Sequence, residues 1–238
     1  MDRPTPLLRR AKQVYETEGL VALLRRSLAL AVTPFFRRDT YYLWGNTTSA
    51  ARDLNEADFR PSIEGLTLRA VSSNRDADEL EAEGLQFRSH SAHFDASEAL
   101  DSGAVAFCIF VGNELANIAW LALTQKAKDS LHEAPFLVDF SRGQAWTGGA
   151  WTNPRYRRRG LQAYNNFTRF DFLQKRGIAL DVGSIRKGNV ASQRANAQFA
   201  GRAYAEGRYL RILWWRSWKE RPLGPPPKLD ICRITQVD

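Results

Sequence analysis

The sequence predicts an α/β (α+β) fold in which late helices connect strands of one sheet. Three observations carry this. Period-two apolar runs and helix-length segments follow one another in the order β, α, β-β, β, α, β, α, β. Two long apolar runs, AVAFCIFV and ELANIAWLALTQ, meet at Gly112-Asn113, a hairpin signal. The strand-like QAWTGGAWTNP is closed by Pro154 and leads through a basic loop into a segment of helix length.

Taken in order, PLLRRAKQVYETEGLVALLRRSLALAVTPFF reads as one or two helices with Gly19 between them. Leu7, Leu8, Ala11, Val14 and Tyr15 recur at helical spacing, and Pro34 is a stop. Residues 1–44 are thus expected to form a basic amphipathic helical appendage, and the polar, turn-rich 45–65 a linker. The sheet-bearing domain spans 66–221. LTLRAVS alternates like a strand, DADELEAEGLQFRSHSAHF is helix-like and acidic, and the hairpin follows. GLQAYNNFTRFDFLQKRG has helix length and ends on basic residues followed by Gly177, the chemistry of a helix C-terminus. IALDVGSI is the next strand. Asn189 caps the helix NVASQRANAQFAG, and Gly201 ends it. RYLRILWWRSW supplies a final strand, PLGPPPK breaks regular structure, and 222–238 is a Pro-rich tail.

Bulk composition narrows the class. The 238 residues suffice for one generous domain or a domain with an appendage. Cys108 and Cys232 lie far apart and form no CxxC, which argues against a disulfide framework or a thiolate zinc site and fits a reducing cytoplasm. The apolar start is broken by Arg25 and Arg26, unlike a signal peptide or a membrane span. Net charge is +8, but residues 141–221 alone carry +13 while 45–140 carry −9. A field this uneven attracts polyanions: nucleic acid, an anionic membrane or a phosphorylated small molecule.

The basic excess begins at NPRYRRRGLQ, residues 153–162. Arg157, Arg158 and Arg159 could be a solvated patch, a nucleic-acid contact or a phosphate cradle. Their position favours the cradle. The first N–H groups of a helix lack intrahelical partners, the helix dipole favours negative charge there, and Gly160 permits close approach of backbone to ligand. Backbone N–H groups from Arg158 through Leu161 to Gln162 would face the anion, with guanidiniums adding charge-assisted bonds. A P-loop, a GxGxxG dinucleotide fingerprint and a GxSxG nucleophile elbow are all absent.

PRYRRRGLQ resembles the acyl-CoA-binding motif of the GNAT superfamily of N-acyltransferases, [QR]-x-x-G-x-[GA], with Arg157 first and Gly160 at the glycine. Pro154 and Tyr156 fit its frequent lead-in, and NVAS resembles the family's N-x-x-S at the start of the following helix. The likeness covers about 66–220 and is sharpest at 145–201. It departs at Gln162, where the motif has a small residue, and at Asn196, where many members carry a tyrosine acid. Gly201-Arg202 also stands where Gly-Phe is usual.

The resemblance implies a mixed, mostly antiparallel sheet flanked by helices. It implies a sheet that splays between AWTGGAWT and IALDVGSI, with the pantetheine arm pairing to Ala150, Trp151 and Thr152. Asn189 and Ser192 would complete the coenzyme site. The co-substrate would be acetyl-CoA or another acyl-CoA, without metal, and the acceptor a small-molecule amine. The N-terminal segment is similar in composition to appendages of bacterial surface-polysaccharide enzymes, which points towards an amino sugar. Gly148 and Gly149 are candidates for a bulge. Asp181 and Asp139, with His132 further off, are candidate bases; Tyr204 and Tyr209 are candidate acids. The acidic 74–101 region would form one acceptor wall. His90, His93 and Asp95 lack a third ligand and read as a polar helix face. The cluster LWWRSW reads as core, interface, base-stacking surface or acyl pocket. The alternative is a non-catalytic module that binds nucleic acid or an acyl carrier through the basic 141–221 face, with a nucleic-acid partner disfavoured for want of a reading motif. The expected location is cytoplasmic, with peripheral contact to the inner face of the membrane through the N-terminal helices. No motif encodes the oligomeric state.

Overall fold

The driest segments of the chain form the middle of its sheet. In the computed structural model, which describes residues 35–51, 54–88 and 94–225, every residue of VAFCIF and LANIAWLA is buried. Such unbroken apolar runs suit strands covered on both faces. They are β3 (Val105–Val111) and β4 (Glu114–Ala122), joined through Gly112 at φ +57 as the hairpin signal predicts. The remaining strands are β1 (Phe36–Thr47), β2 (Leu66–Val71), β5 (Gln144–Thr152), β6 (Leu180–Arg186), β7 (Arg202–Ile212) and β8 (Trp215–Pro222). The helices are α1 (Glu56–Phe59), α2 (Asn74–Ala82), α3 (Ala96–Asp101), α4 (Gln125–Leu131), α5 (Leu161–Gln174) and α6 (Val190–Ala197).

The strands make one mixed sheet in the order β2-β3-β4-β5-β6-β1-β7-β8. Neighbours β2–β3, β3–β4, β4–β5 and β1–β6 are antiparallel. β5 and β6 run parallel, connected through α5. This is the mixed, mostly antiparallel sheet with flanking helices that was expected. Two units divide the chain: residues 40–207 with 220–238, and residues 1–39 with 208–219. The candidate site lies wholly in the first.

Adjacent residues of a strand face opposite sides of the sheet, so each face has its own core. On one, Phe170 and Leu173 of α5 pack with Phe199 on Val105, Phe107, Leu121 and Ala145. On the other, Trp120 meets Phe87 and Phe94, while Trp146 and Phe136 flank His132. Each large apolar side chain so buried contributes about 1.5–3 kcal/mol.

Four elements differ from the sequence reading. Residues 36–47, assigned to the end of the appendage and the start of the linker, are a strand inside the sheet, zipped to β6 from Tyr41↔Arg186 to Thr47↔Leu180. A strand covered on both faces shows little period-two alternation, and this one hid behind the Arg37-Arg38 pair. The acidic helix of 76–94 is instead α2, stopped by Gly84 at φ +84, and a separate α3 capped by Asp95. Helix α4, capped by Thr124, was not expected at all. RYLRILWWRSW spans a turn between β7 and β8, where Leu213 takes φ +55 without the usual Gly or Asn. The stretch up to residue 34, expected to be helical, and His90, His93, Cys232 and most of the tail lie outside the described residues.

Candidate functional site

β5 and β6 face each other from Gln144↔Leu180 to Thr147↔Gly183, and their pairing ends there. Neither strand ends with it. β6 continues against β1 through Ser184, Ile185 and Arg186. β5 continues against β4, with Gly148 opposite Trp120 and Thr152 opposite Asn117. Each strand follows its outer neighbour, so the sheet opens between them as expected. A bulge turns β5 away: between the pairs Ile118↔Trp151 and Trp120↔Gly148, three steps on β5 match two on β4. Gly149 carries the left-handed φ of +58 that the extra residue needs. A Cβ on Gly148 would lie 2.3 Å from Cζ2 of Trp146, so that indole lies over the strand's own backbone.

Beyond the bulge, the loop is pinned on one side and open on the other. Buried Asn153 accepts from the Arg155 N–H (3.1 Å) and donates to Glu114 Oε1 (2.9 Å). Glu114 also receives the Tyr156 hydroxyl (2.9 Å) and Arg155 Nη1 (3.0 Å). The Tyr156 bond, foremost, holds the Glu114 carboxyl below its usual range and pushes the phenol up. Arg155 is thus committed to the loop's own structure. Arg157 folds back to donate from Nε to the Thr152 carbonyl (3.3 Å). Arg158 (φ +63) and Gly160 (φ +78) are left-handed and flank Arg159, the kind of hand-alternating backbone that turns N–H groups towards an anion. No side chain caps α5, its first turn holds no acidic residue, and nothing lies within 4 Å of a Cβ built on Gly160. The first N–H groups of α5 therefore receive no side-chain cap and lie beside three exposed arginines. These features suit a phosphate or pyrophosphate.

Leu161 contributes backbone only, because its side chain packs with Ile109, Ala116 and Tyr164. Gln162 also turns inward: Oε1 accepts from Asn117 (3.1 Å) and Nε2 donates to Asn166 (2.9 Å). The bulk that departs from the motif is thus removed from the loop. It joins a polar network between sheet and helix. Asn117 donates to the Trp151 carbonyl (3.1 Å) and Thr152 Oγ1 (2.8 Å) and accepts from Asn165 (2.7 Å). Asn165 in turn accepts from Arg169 Nε (3.1 Å), and Arg169 also donates to Asn166. The far end of β5 is held in place by this chain of amides.

Asp181 lies on the same face, 1% exposed. Its Oδ2 accepts from Thr147 Oγ1 (3.0 Å) and Asn46 Nδ2 (3.4 Å), while Oδ1 has no hydrogen-bond partner among the described residues. Burial lifts its carboxyl to about 6, and the attraction of buried Arg169 offsets only part of that.

On the opposite face, α4 delivers His132 to the mouth of the opening. Nδ1 accepts the Ala134 N–H (3.1 Å). A backbone N–H can only donate, so the imidazole proton belongs on Nε2, which then donates to Ser184 Oγ at 3.1 Å. Ser184 is the first residue of β6 beyond its last pair with β5. Rings of Tyr41, Phe136 and Trp146 hold the imidazole at centroid distances of 5.5–5.6 Å. Ser184 carried no sequence signal, and His132 only that of its residue type, because α4 was not foreseen. Phe94, from the region expected to form an acceptor wall, meets Trp120 and would lie 3.3 Å from a Cβ on Gly149.

The other named residues have structural partners. Asp139 caps a short 3-10 turn ahead of β5, accepting from Ser141 Oγ (2.6 Å) and the Arg142 N–H (3.2 Å), at the opposite end of the strand from the bulge. Tyr204 lies on β7, separated from β6 by β1, and burial, then Glu220, lifts its phenol to about 12. Tyr209 is buried. Asn189 caps α6 by accepting the Ser192 N–H (3.2 Å), and Asn196 donates to the Ser192 carbonyl (2.9 Å). Asp95 caps α3. Among the described residues no group of three or more His, Cys, Asp or Glu could hold a metal, and no helix is long and apolar enough to cross a membrane.

No family model matches the chain, and no curated protein matches it. Solved structures of similar shape include a protein from Drosophila (14% identity, 81% of this chain and 58% of that one, TM-score 0.46). Others are a putative acetyltransferase of the GNAT family from Novosphingobium aromaticivorans (17%, 74% and 64%, 0.46) and a GCN5-related N-acetyltransferase from Kribbella flavida (14%, 82% and 64%, 0.44). The chain thus spans 58–64% of the length of these three structures.

Proposed function

We propose that this chain is an acyl-CoA-dependent N-acyltransferase that moves an acetyl or longer acyl group to the amine of a small molecule, an amino sugar foremost. The observation that supports it best is one juxtaposition. β5 and β6 part after Thr147 and Gly183, and the strand that leaves runs directly into an uncapped helix start behind Arg157, Arg158, Arg159 and Gly160. An extended arm with an anionic pyrophosphate at one end needs both parts, a slot lined by strand backbone and a cradle of N–H groups with positive charge.

In this reading the N–H groups from Arg158 to Gln162 hold the pyrophosphate, and Arg157 and Arg159 neutralise it. The backbone of Ala150, Trp151 and Thr152 aligns the arm, and Asn189 with Ser192 shapes the first turn of α6 beside it. The acceptor nitrogen bonds to the acyl carbon as the carbon–sulfur bond breaks, and a thiolate leaves. Asn196 cannot protonate it. The Ser184 hydroxyl can: His132 Nε2–H already donates to Ser184 Oγ, so the hydroxyl proton is directed elsewhere, and as it passes to the thiolate Ser184 Oγ takes the proton that the acceptor nitrogen sheds, while His132 keeps its own. Asp181 is sealed on the other face and acts here by holding Thr147 and Asn46 at the last pair before the opening.

Calorimetry with acetyl-CoA, longer acyl-CoA and free coenzyme A tests the reading. Binding that Arg157→Glu/Arg159→Glu abolishes is expected; no heat from any of the three would overturn it. The residue at Asn196 favours a second reading, a binder that does not catalyse. Coenzyme binding without turnover across amines and amino sugars would select it.

A further inference from the structure

The smaller unit, residues 1–39 with 208–219, ends in an apolar tip. Trp214 is 87% exposed, Phe35 59% and Trp215 53%, with Phe36, Ile212 and Leu213 each exposed by more than 40%. The Leu213 N–H donates to the Phe35 carbonyl (2.6 Å), which ties the start of β1 to the β7–β8 turn and gathers the six at one end of these strands. Soluble surfaces scatter such residues singly. The cluster LWWRSW is therefore not core: its first two tryptophans face solvent.

We propose that this hairpin tip inserts into the surface of an anionic lipid bilayer. Across residues 35–39 and 208–219 six basic side chains stand against one acidic, Asp39. Of these Arg38, Arg208, Arg216 and Lys219 are exposed, behind the tip rather than within it. At about 3.3 Å per strand residue, Arg216 sits roughly 7 Å and Lys219 roughly 16 Å back from Trp214. With an apolar face buried about 5–10 Å into the headgroup and acyl boundary, these charges meet lipid phosphates. Trp is a residue of that boundary, and β8 pairs with β7 on one side only, so the turn enters to the headgroup level, where water still reaches the free edge of β8. Two other occupants fit less well. A second copy would bring a basic collar against a basic collar. Single-stranded nucleic acid would stack on the tryptophans but gain little from Ile212 and Leu213.

The test is co-sedimentation of the full chain with vesicles of phosphatidylcholine containing roughly a third phosphatidylglycerol, against pure phosphatidylcholine. Leu213→Asn/Trp214→Ser removes the tip; asparagine accepts the left-handed φ of residue 213, so the turn is kept. Arg216→Glu/Lys219→Glu removes the collar. The expected result is binding to the anionic vesicles alone, weakened at least tenfold by either variant, with circular dichroism and melting unchanged. Binding that persists in the tip variant would place the contact elsewhere and overturn the proposal. So would absence of vesicle binding, or loss in the tip variant of oligonucleotide binding or self-association in place of vesicle binding.

Discussion

Gly183 pairs with Thr147 at the last contact between the two parallel strands, where a Cβ on the glycine would lie 3.3 Å from the Thr147 carbonyl. One residue further on, Gly148 lies under the Trp146 indole. The point where the sheet opens is thus set by two glycines on facing strands. Gly148→Ala must displace a fully buried tryptophan, which costs about 1–3 kcal/mol by the usual measure of overpacking. For a chain of this length that lowers Tm by roughly 2–12 °C. A melting curve superimposable on the parent's would show that the indole is not locked over the bulge.

Charge reversal at Arg157 and Arg159 touches no buried contact, since both are exposed and Arg157 makes one long bond to a backbone carbonyl. Stability should change by less than about 0.5 kcal/mol. Affinity for coenzyme A should fall at least tenfold, because charge-assisted bonds to phosphate are worth about 1.5–3 kcal/mol each. It should also weaken with salt in the parent and less so in the variant. Equal affinities for parent and variant would detach these arginines from the pyrophosphate.

Gln162 separates the loop from its support. Gln162→Ala removes two amide bonds, while Asn117 keeps Trp151 and Thr152 and Asn166 keeps Arg169, so the loss is about 0.5–1.5 kcal/mol per bond. The loop's N–H groups stay where they are, so coenzyme affinity should move less than about threefold, well under 1.4 kcal/mol. A tenfold change would mean that the side chain itself reaches the ligand.

What could be read in the sequence follows from where each signal is stored. The turn at Gly112-Asn113, the bulge at Gly148-Gly149 and the cap at Asn189 are local demands of the backbone, and all three stand where their residues announced them. The loop from β5 into α5 was likewise legible, because Pro154, the arginines and Gly160 are contiguous. The central place of β1 was not, since pairing with β6 links Tyr41 to Arg186 across most of the chain. Nor was the inward turn of Gln162, which depends on Asn117 of another strand. The His132–Ser184 contact needed both α4 and the position of the opening, and neither residue type by itself marks a site.

That contact has a direction, and the direction can be tested. Ser184→Ala should lower kcat about a hundredfold, the lower end for a positioned proton donor, while KM for the acyl donor stays within about twofold. His132→Gln keeps an N–H donor near the position of Nε2 and should retain more activity than His132→Ala. Purely structural roles would instead lower Tm and leave kcat per folded molecule unchanged. Equal kcat values for parent and Ser184→Ala would remove the relay.

Asp181 gives the chain a pH dependence whose sign is fixed by burial. Its carboxyl rises from an ordinary 3.8 to about 6 because desolvation outweighs the attraction of Arg169 and the bonds from Thr147 and Asn46. The native state therefore holds this proton more tightly than the unfolded chain. The resulting stabilisation is complete below about pH 4 and is lost as pH rises through about 6. At 1.36 kcal/mol per unit the loss amounts to about 3 kcal/mol. Asp181→Asn imitates the protonated acid, and its amide can donate to Asn46 Oδ1, which has no hydrogen-bond partner among the described residues. The variant should match the parent near pH 4 and exceed it at pH 7 and above, with a flatter curve between. Denaturant midpoints across that range decide the matter. An Asn variant that is less stable at pH 7 than at pH 4, relative to the parent, would mean that the ion pair with Arg169 governs this site and that Asp181 is charged throughout.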